Sequence, residues 1–568
     1  MMLVTDAVAK ALTDLGADTV FGVVGSGNFH VTNALISNGA RYIAARHECG
    51  AASMADAWSR LTGRPALLSL HQGPGLTNAL TGITEAAKSR TPLLVLAADV
   101  SAGATTSNFK IDVAAITKAV GATQARLLSP GFAIDDAVRG YLTARNDRRT
   151  VVLALPLDVQ AGECTWPGEP DRRAAVPAPP PDQQAAALAS VLATAARPVF
   201  IAGRGARQPG AREAIEQLAD GCGALLATSA AAKGLFRGSS WDLDVSGGFA
   251  SPLAAELIGA ADVLVAWGCS LNMWTTRHGS LIGEHTTIIQ VDDEKAAIGA
   301  HRRVDLAVVG DVGLTAAAVA TLLEHEPREP LPPGSSTAAA PGIASDDLPG
   351  TGYRSAGLRD RITSQVRWRD VPYQDESDGE HIDPRTLTIA LDDLLPTERV
   401  VAVDSGNFMG YPSMFLSVPD VGGFCFTQAY QSIGLGLASA VGAAIARPDR
   451  LVVAALGDGG ALMGSSELET AVRLGLSMVI VIYDDEAYGA EVHHFGPDGY
   501  PLDTVRFPSA DLAAIARGYG CDAVTVRTAS DLDPVRDWLQ DRPPHPIVID
   551  AKVTSGAAWW LEEAFRGH

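Results

Sequence analysis

Two acidic clusters, each placed at the end of a short apolar run, are the part of this sequence best suited to chemistry. Residues 451–456 (LVVAAL) lead into Gly457-Asp458-Gly459-Gly460, and residues 478–483 (MVIVIY) lead into Asp484-Asp485. Carboxylates brought together repel one another unless a cation neutralises them. Glycines beside one of them let a diphosphate come close to the backbone, because no side chain intervenes. A hard divalent cation with oxygen ligands, bridging carboxylate to phosphate, suits that arrangement. Taken alone, GDG also reads as a tight turn and Asp484-Asp485 as a solvated loop end. GDG, a helix and DDxxYG in succession favour the cation–diphosphate reading.

The flanking sequence predicts the scaffold that brings the acids together. Both apolar runs suit strands buried on two faces. Ser466 followed by Glu469 predicts a capping box, and Leu468, Ala471 and Val472 recur at helical spacing. Parallel strands joined by such a crossover end on the same edge of a sheet, where open α/β sheets bind ligands.

The stretch 451–491 resembles the diphosphate-binding motif of thiamine diphosphate (ThDP) enzymes, which runs GDG, a helix, then NN or ND. The resemblance implies ThDP and Mg²⁺ as cofactors, with Asp458, Asp485 and the Ala487 carbonyl as metal ligands. Gly457, Gly459, Gly460, Tyr488 and Gly489 would then lie along the diphosphate. Asp484 stands where the family usually has Asn, and the ligand at 485 is itself Asp, so this chain carries extra negative charge here. Asp404-Ser405-Gly406-Asn407, after the run 400–403, resembles a second diphosphate-side loop, which assigns Gly406 and Asn407 to the cofactor. Gln431 and Ile433 precede a Gly/Ala-rich helix. By resemblance Ile433 is the apolar wedge under a bent cofactor; simple core packing is the other reading.

The first third of the chain adds the acid–base group. HECGAASMAD, then GPGLTN, then EA followed by Pro, resembles the pyrimidine-binding domain of the same enzymes. Glu48 then takes the place of the glutamate that hydrogen-bonds the aminopyrimidine ring, promoting formation of a carbon nucleophile on the thiazolium. An isolated Glu48 reads only as a favourable charge at a helix N-terminus. Ser26 and His71 sit where benzoylformate decarboxylase carries a substrate-contacting Ser and His. Phe109 stands where acetolactate synthases usually have Gln. After the acidic cluster, Glu491 is placed as a base or acid for a substrate hydroxyl, with Val492 and Phe495 as pocket residues; His493-His494 point apart on a helix and do not suggest a metal pair. In the middle of the chain, GCSLNMWTTRHG resembles a segment of oxalyl-CoA decarboxylases and 2-hydroxyacyl-CoA lyases. This adds Asn272, Trp274 and the Gly-flanked Arg204 as substrate candidates, and ADP or CoA as a candidate ligand of the central domain. An ordinary surface Arg and a core Trp are the bland alternatives.

A chain of 568 residues exceeds one core and predicts three domains. The expected fold class is α/β, with three doubly wound parallel-sheet domains: pyrimidine-binding (1–166), central nucleotide-fold (183–325) and diphosphate-binding (380–552). Residues 326–379 read as a linker, and 553–568 as a tail placed to act as a lid. The net charge of −21 argues against nucleic acid and anionic membranes. Six scattered cysteines without metal spacing, and no targeting segment, predict a reduced cytoplasmic enzyme. The resemblance further implies a homodimer or homotetramer, since the pyrimidine domain of one subunit meets the diphosphate domain of another. Two activities follow from it. The first is lysis of a 2-hydroxyacyl-CoA to formyl-CoA and an aldehyde or ketone. The second is decarboxylation or carboligation of a 2-oxo acid.

Overall fold

The computed structural model describes residues 1–170, 173–325 and 352–556. Three six-stranded parallel sheets carry the chain. In space the first sheet runs Arg41–Ala44, Thr19–Gly22, Ala66–Leu70, Leu93–Asp99, Thr150–Pro156, Thr123–Arg126. The third runs Phe424–Phe426, Arg399–Val403, Leu451–Gly457, Met478–Asp484, Ile547–Lys552, Asp522–Val526. Numbered along the chain, both have the strand order 2-1-3-4-6-5. The central sheet, from Pro198–Ala202 to Leu306–Val309, has the order 3-2-1-4-5-6 of dinucleotide-binding folds.

Alternation along the strands explains why the apolar runs are continuous. Val452, Ala454 and Leu456 enter one core, whereas Leu451, Val453 and Ala455 enter another on the opposite face. The first of these cores is shared between the outer domains, taking in Leu68, Leu70 and Val95 as well. Helix Glu48–Thr62 lies against helix Gly436–Ala446 across that boundary. Gly442 makes the approach possible, because a Cβ there would stand 2.2 Å from the Met54 carbonyl oxygen.

Two local expectations need correcting. The crossover after Gly457 is two helices, Asp458–Gly464 and Glu467–Arg473, and Ser466 has helical dihedrals with no side-chain capping bond. Glu469 is drawn instead to the guanidinium of Arg46. Part of the stretch expected as a linker is core: Tyr353, Leu358, Ile362 and Val366 are buried against the central sheet, and the Tyr353 hydroxyl donates to the Leu257 carbonyl (3.1 Å). Residues 326–351 and the tail beyond 556 lie outside the described residues. All six cysteines are free thiols. Among the described residues no helix is long and apolar enough to cross a membrane.

Candidate active site

In the third sheet the strand order reverses between Arg399–Val403 and Leu451–Gly457, and such a switch point leaves a crevice at the carboxyl ends of the strands. A cavity of about 470 Å³ occupies it. Ser405, Gly406 and Asn407 come from the first strand end, Gly457–Gly460 from the second, and Asp485 and Ala487–Glu491 from beyond Met478–Asp484. Gln431, Ile433 and Met463 close the apolar side.

Burial pushes the Asp458 carboxyl up to about 7, with the charges of Asp485 and Asp484 adding to it. Asp485 is likewise pushed up to about 6 by burial, against an opposing hydrogen bond from the Asn407 amide (3.4 Å). Two carboxylates held this way are electrostatically incomplete, and a divalent cation between them relieves both. Among the described residues no three His, Cys, Asp or Glu side chains cluster as a metal site. The remaining ligands of such a cation would be the Ala487 carbonyl, phosphate and water oxygens, a donor set that suits Mg²⁺. The surrounding glycines form a cradle that a side chain would fill. A Cβ on Gly489 would stand 2.2 Å from Asp485 Oδ2, and one on Gly459 would stand 2.8 Å from the Tyr488 ring.

The additional carboxylate at 484 has its own partner. Lys552 Nζ, on the neighbouring strand, pairs with Asp484, lies 3.3 Å from Asp550 Oδ1 and donates to the Ala510 carbonyl (3.1 Å). Asp404 holds the far side of the cavity. It is fully buried, and its carboxylate accepts from the backbone N–H groups of Gly434 (2.9 Å) and Leu435 (3.2 Å). Burial raises Asp404 to about 6 in spite of those bonds. Gln431, two residues before Ile433, takes a left-handed backbone (φ 57°) that turns the loop into the cavity.

A second cluster lies at the strand ends of the first sheet. Glu48 opens helix Glu48–Thr62, with His47 as cap, and accepts from Asn78 Nδ2 (3.1 Å). His71 Nδ1 accepts from the Gly27 N–H (3.1 Å), so the neutral ring carries its proton on Nε2. Ser26 is exposed between Gly25 and Gly27, both of which abut His71. Phe109 packs edge-on against the same ring at 5.2 Å. None of Ser26, Glu48 and His71 lines the cavity that holds Asp458 within the same chain.

Family models for the thiamine pyrophosphate enzymes match three successive segments: the N-terminal TPP binding domain at 2–124, the central domain at 185–319, and the C-terminal TPP binding domain at 404–551. The chain belongs to the thiamine pyrophosphate enzymes. Its similarity to individual members covers most of both chains. It is 29% identical to the probable 2-ketoarginine decarboxylase of Pseudomonas aeruginosa, over 94% of this chain and 90% of that one. It is 26% identical to the acetolactate synthase large subunit of Parasynechococcus marenigrum (97% and 87%) and to the sulfoacetaldehyde acetyltransferase of Castellaniella defragrans (94% and 90%).

Within this thiamine pyrophosphate enzyme the remaining candidates separate. Trp274 reaches the cavity wall from the central domain, packed on Phe249. Asn272 caps the short helix Met273–Thr276 through Thr275 N–H (2.9 Å). Arg204 crosses the domain boundary and donates to the Ser89 carbonyl. At the central switch point backbone meets backbone: Gly205 N–H donates to the Gly268 carbonyl (2.9 Å), and a Cβ on Gly205 would stand 2.7 Å from Gly268 Cα. Val492 and Phe495 lie further along helix Gly489–Phe495, off the cavity wall. Phe408, Tyr411, Met463, Val553 and Thr554 line the cavity without having been singled out by sequence. Val553 and Thr554 had a local signal, their place just beyond the last strand.

Proposed function

We propose that this enzyme makes or breaks the carbon–carbon bond beside the carbonyl of a small 2-oxo acid, as a decarboxylase or carboligase, with Mg²⁺ held by Asp458, Asp485 and the Ala487 carbonyl. The observation that carries the reading is Glu491. It sits in the first turn of helix Gly489–Phe495 on the wall of the cavity that holds the acidic pair and the glycine cradle. Relatives named decarboxylase, synthase and acetyltransferase support it. Lysis of a 2-hydroxyacyl-CoA to formyl-CoA is the second reading, favoured by Trp274 on the cavity wall. It is weakened by the engagement of Arg204 with Ser89 and by the backbone packing at Gly205–Gly268, which leave the nucleotide of an acyl-CoA without a prepared crevice there.

When bound, ThDP would supply a carbon nucleophile and an electron sink for the carbon beside the carbonyl. The chain's own residues bind, orient and move protons. The glycines at 457, 459, 460 and 489 admit the diphosphate to the backbone, while Ile433 and Met463 give the reacting end an apolar wall that excludes water. Glu491 gives or takes the proton at the substrate-derived hydroxyl or carbon. Glu48, from a second subunit, hydrogen-bonds the pyrimidine ring, with the Ser26 hydroxyl and His71 Nε2–H beside it as donors to the substrate carboxylate. Pairing of two chains would also cover the exposed Val24, Phe29 and Phe109 of the first domain and the exposed Tyr430, Leu462 and Met463 of the third.

The test offers the Mg²⁺- and ThDP-loaded enzyme a panel of 2-oxo acids, 2-ketoarginine included, and in parallel 2-hydroxyacyl-CoA thioesters. Carbon dioxide from the first panel is expected; formyl-CoA from the second, without carbon dioxide from the first, overturns the reading in favour of its rival. Glu491→Gln should lower kcat about a hundredfold or more and leave the Kd for ThDP nearly unchanged. A near-normal kcat removes Glu491 from the mechanism.

A further inference from the structure

The outer domains share one strand order, and each carries a buried glutamate on the crossover between its third and fourth strands. Glu85, 1% exposed on helix Leu80–Lys88, accepts from the backbone N–H groups of Ala429 (3.1 Å) and Tyr430 (2.6 Å) in the third domain. Glu467, 2% exposed at the start of helix Glu467–Arg473, accepts from the N–H groups of Arg46 (3.1 Å) and His47 (3.0 Å) in the first. Each glutamate therefore grips two consecutive amides in the loop that leaves the second strand of the other domain. Both loops lead directly to cofactor-facing residues: His47 to Glu48, and Tyr430 to Gln431 and Ile433.

Each carboxylate is supported from behind. Arg60 Nη2 (2.7 Å) and Ser89 Oγ (3.1 Å) hold Glu85, and Thr470 Oγ1 (2.6 Å) holds Glu467. Gly50 admits Glu467, since a Cβ there would stand 2.3 Å from its Oε1. The Tyr430–Leu435 loop is then pinned at both ends, by Glu85 at Ala429 and Tyr430 and by Asp404 at Gly434 and Leu435. Charge-assisted bonds to backbone N–H groups are about twice as strong as neutral ones, so a carboxylate suits this task better than an amide.

We propose that Glu85 and Glu467 form a reciprocal clamp, positioning residues through which each outer domain fixes the cofactor-facing loop of the other. Glu85 sets Gln431 and Ile433, and Glu467 sets Glu48. The inference requires only the family's cofactor and holds for either substrate reading. A glutamine in either place keeps the shape but has one acceptor oxygen and sets an NH₂ against a backbone N–H.

The test compares Glu85→Gln and Glu467→Gln with the unmodified full-length protein, by amide hydrogen exchange without cofactor, by equilibrium binding of ThDP with Mg²⁺, and by steady-state rates. Glu85→Gln should speed exchange at 429–430 about tenfold or more, leave 46–47 protected, and weaken ThDP binding severalfold. Glu467→Gln should speed exchange at 46–47 alone, leave ThDP affinity within about twofold, and lower kcat. Protection unchanged at the predicted loop, or lost alike at both loops in both variants, overturns the clamp. If neither variant folds, the unmodified protein decides. Its amides at 46, 47, 429 and 430 should exchange as slowly as those of Leu451–Gly457, and exchange at the rate of an open loop overturns the proposal.

Discussion

Replacing Asp458 by Asn should make the cation-free protein more stable at pH 8 while abolishing cofactor loading. The Asp458 carboxyl stands at about 7 in the folded chain, chiefly through burial, against roughly 3.9 in an unfolded one. A difference of about 3 units at about 1.4 kcal/mol each gives on the order of 4 kcal/mol. Asp458 is only half-buried on the cavity wall, so solvent screening cuts this to roughly 2 kcal/mol. The sign follows from the raised folded value. Below about pH 4 both states are protonated and nothing is lost. Between about 4 and 7 the folded form keeps a proton that the unfolded form releases, so the carboxylate's penalty grows as pH rises; above about 7 it is complete. Thermal melts of both proteins from pH 5 to 8.5 in EDTA should therefore show the variant ahead by roughly 4–8 °C at pH 8, for a cooperative unit the size of one domain, with the gap closing toward pH 5. Mg²⁺ with ThDP should raise the melting point of the unmodified protein alone. A gap that is absent or independent of pH, or a variant that still loads, refutes the reasoning.

Gly442→Ala tests the shared core of the outer domains. In an open helix the change gains about 1 kcal/mol, but here the Cβ would meet the Met54 backbone at 2.2 Å. We expect a net loss of about 1–3 kcal/mol in urea unfolding and a lower kcat as the helix bearing Glu48 is displaced; a stabilised variant would contradict the packing. Lys552→Met leaves the buried carboxylates of Asp484 and Asp550 without their cation. The expected cost is about 3–5 kcal/mol, partly recovered by adding Asp484→Asn, and a double variant no better than the single would disprove the pairing.

Much of the scaffold was legible because its cause is local. The runs before Asp458 and Asp485 are apolar at every position since both faces of a central parallel strand are covered, and their glycine- and acid-bearing ends mark the sheet edge where the cavity lies. What stayed hidden depends on partners far away in sequence. Nothing near Asp484 announces Lys552, and although the EA pair marks Glu85 as part of the family pattern, nothing in helix Leu80–Lys88 announces its partners at Ala429 and Tyr430. The Ser466/Glu469 spacing pointed to a capping box, but Arg46 of another domain competes for Glu469. The Gly-flanked Arg204 suggested a phosphate contact by type, yet a guanidinium serves a carbonyl across a domain boundary equally well, and here it bonds to Ser89. Leu358, Ile362 and Val366 recur every four residues along one helical face, with Tyr353 just ahead of the helix, but their polar setting read as linker.

The central claim is that Glu48 of one chain works with Asp458 of another, and subunit mixing tests it most directly. Glu48→Ala and Asp458→Asn chains, each inactive alone, are unfolded together, refolded in equal amounts and assayed with saturating ThDP and Mg²⁺. Random pairing makes half of the dimers mixed, and each mixed dimer regains one intact site of two, so about a quarter of unmodified activity should return. No recovery, with mixed dimers demonstrably formed, would show that Glu48 and Asp458 must lie on the same chain and would contradict the account.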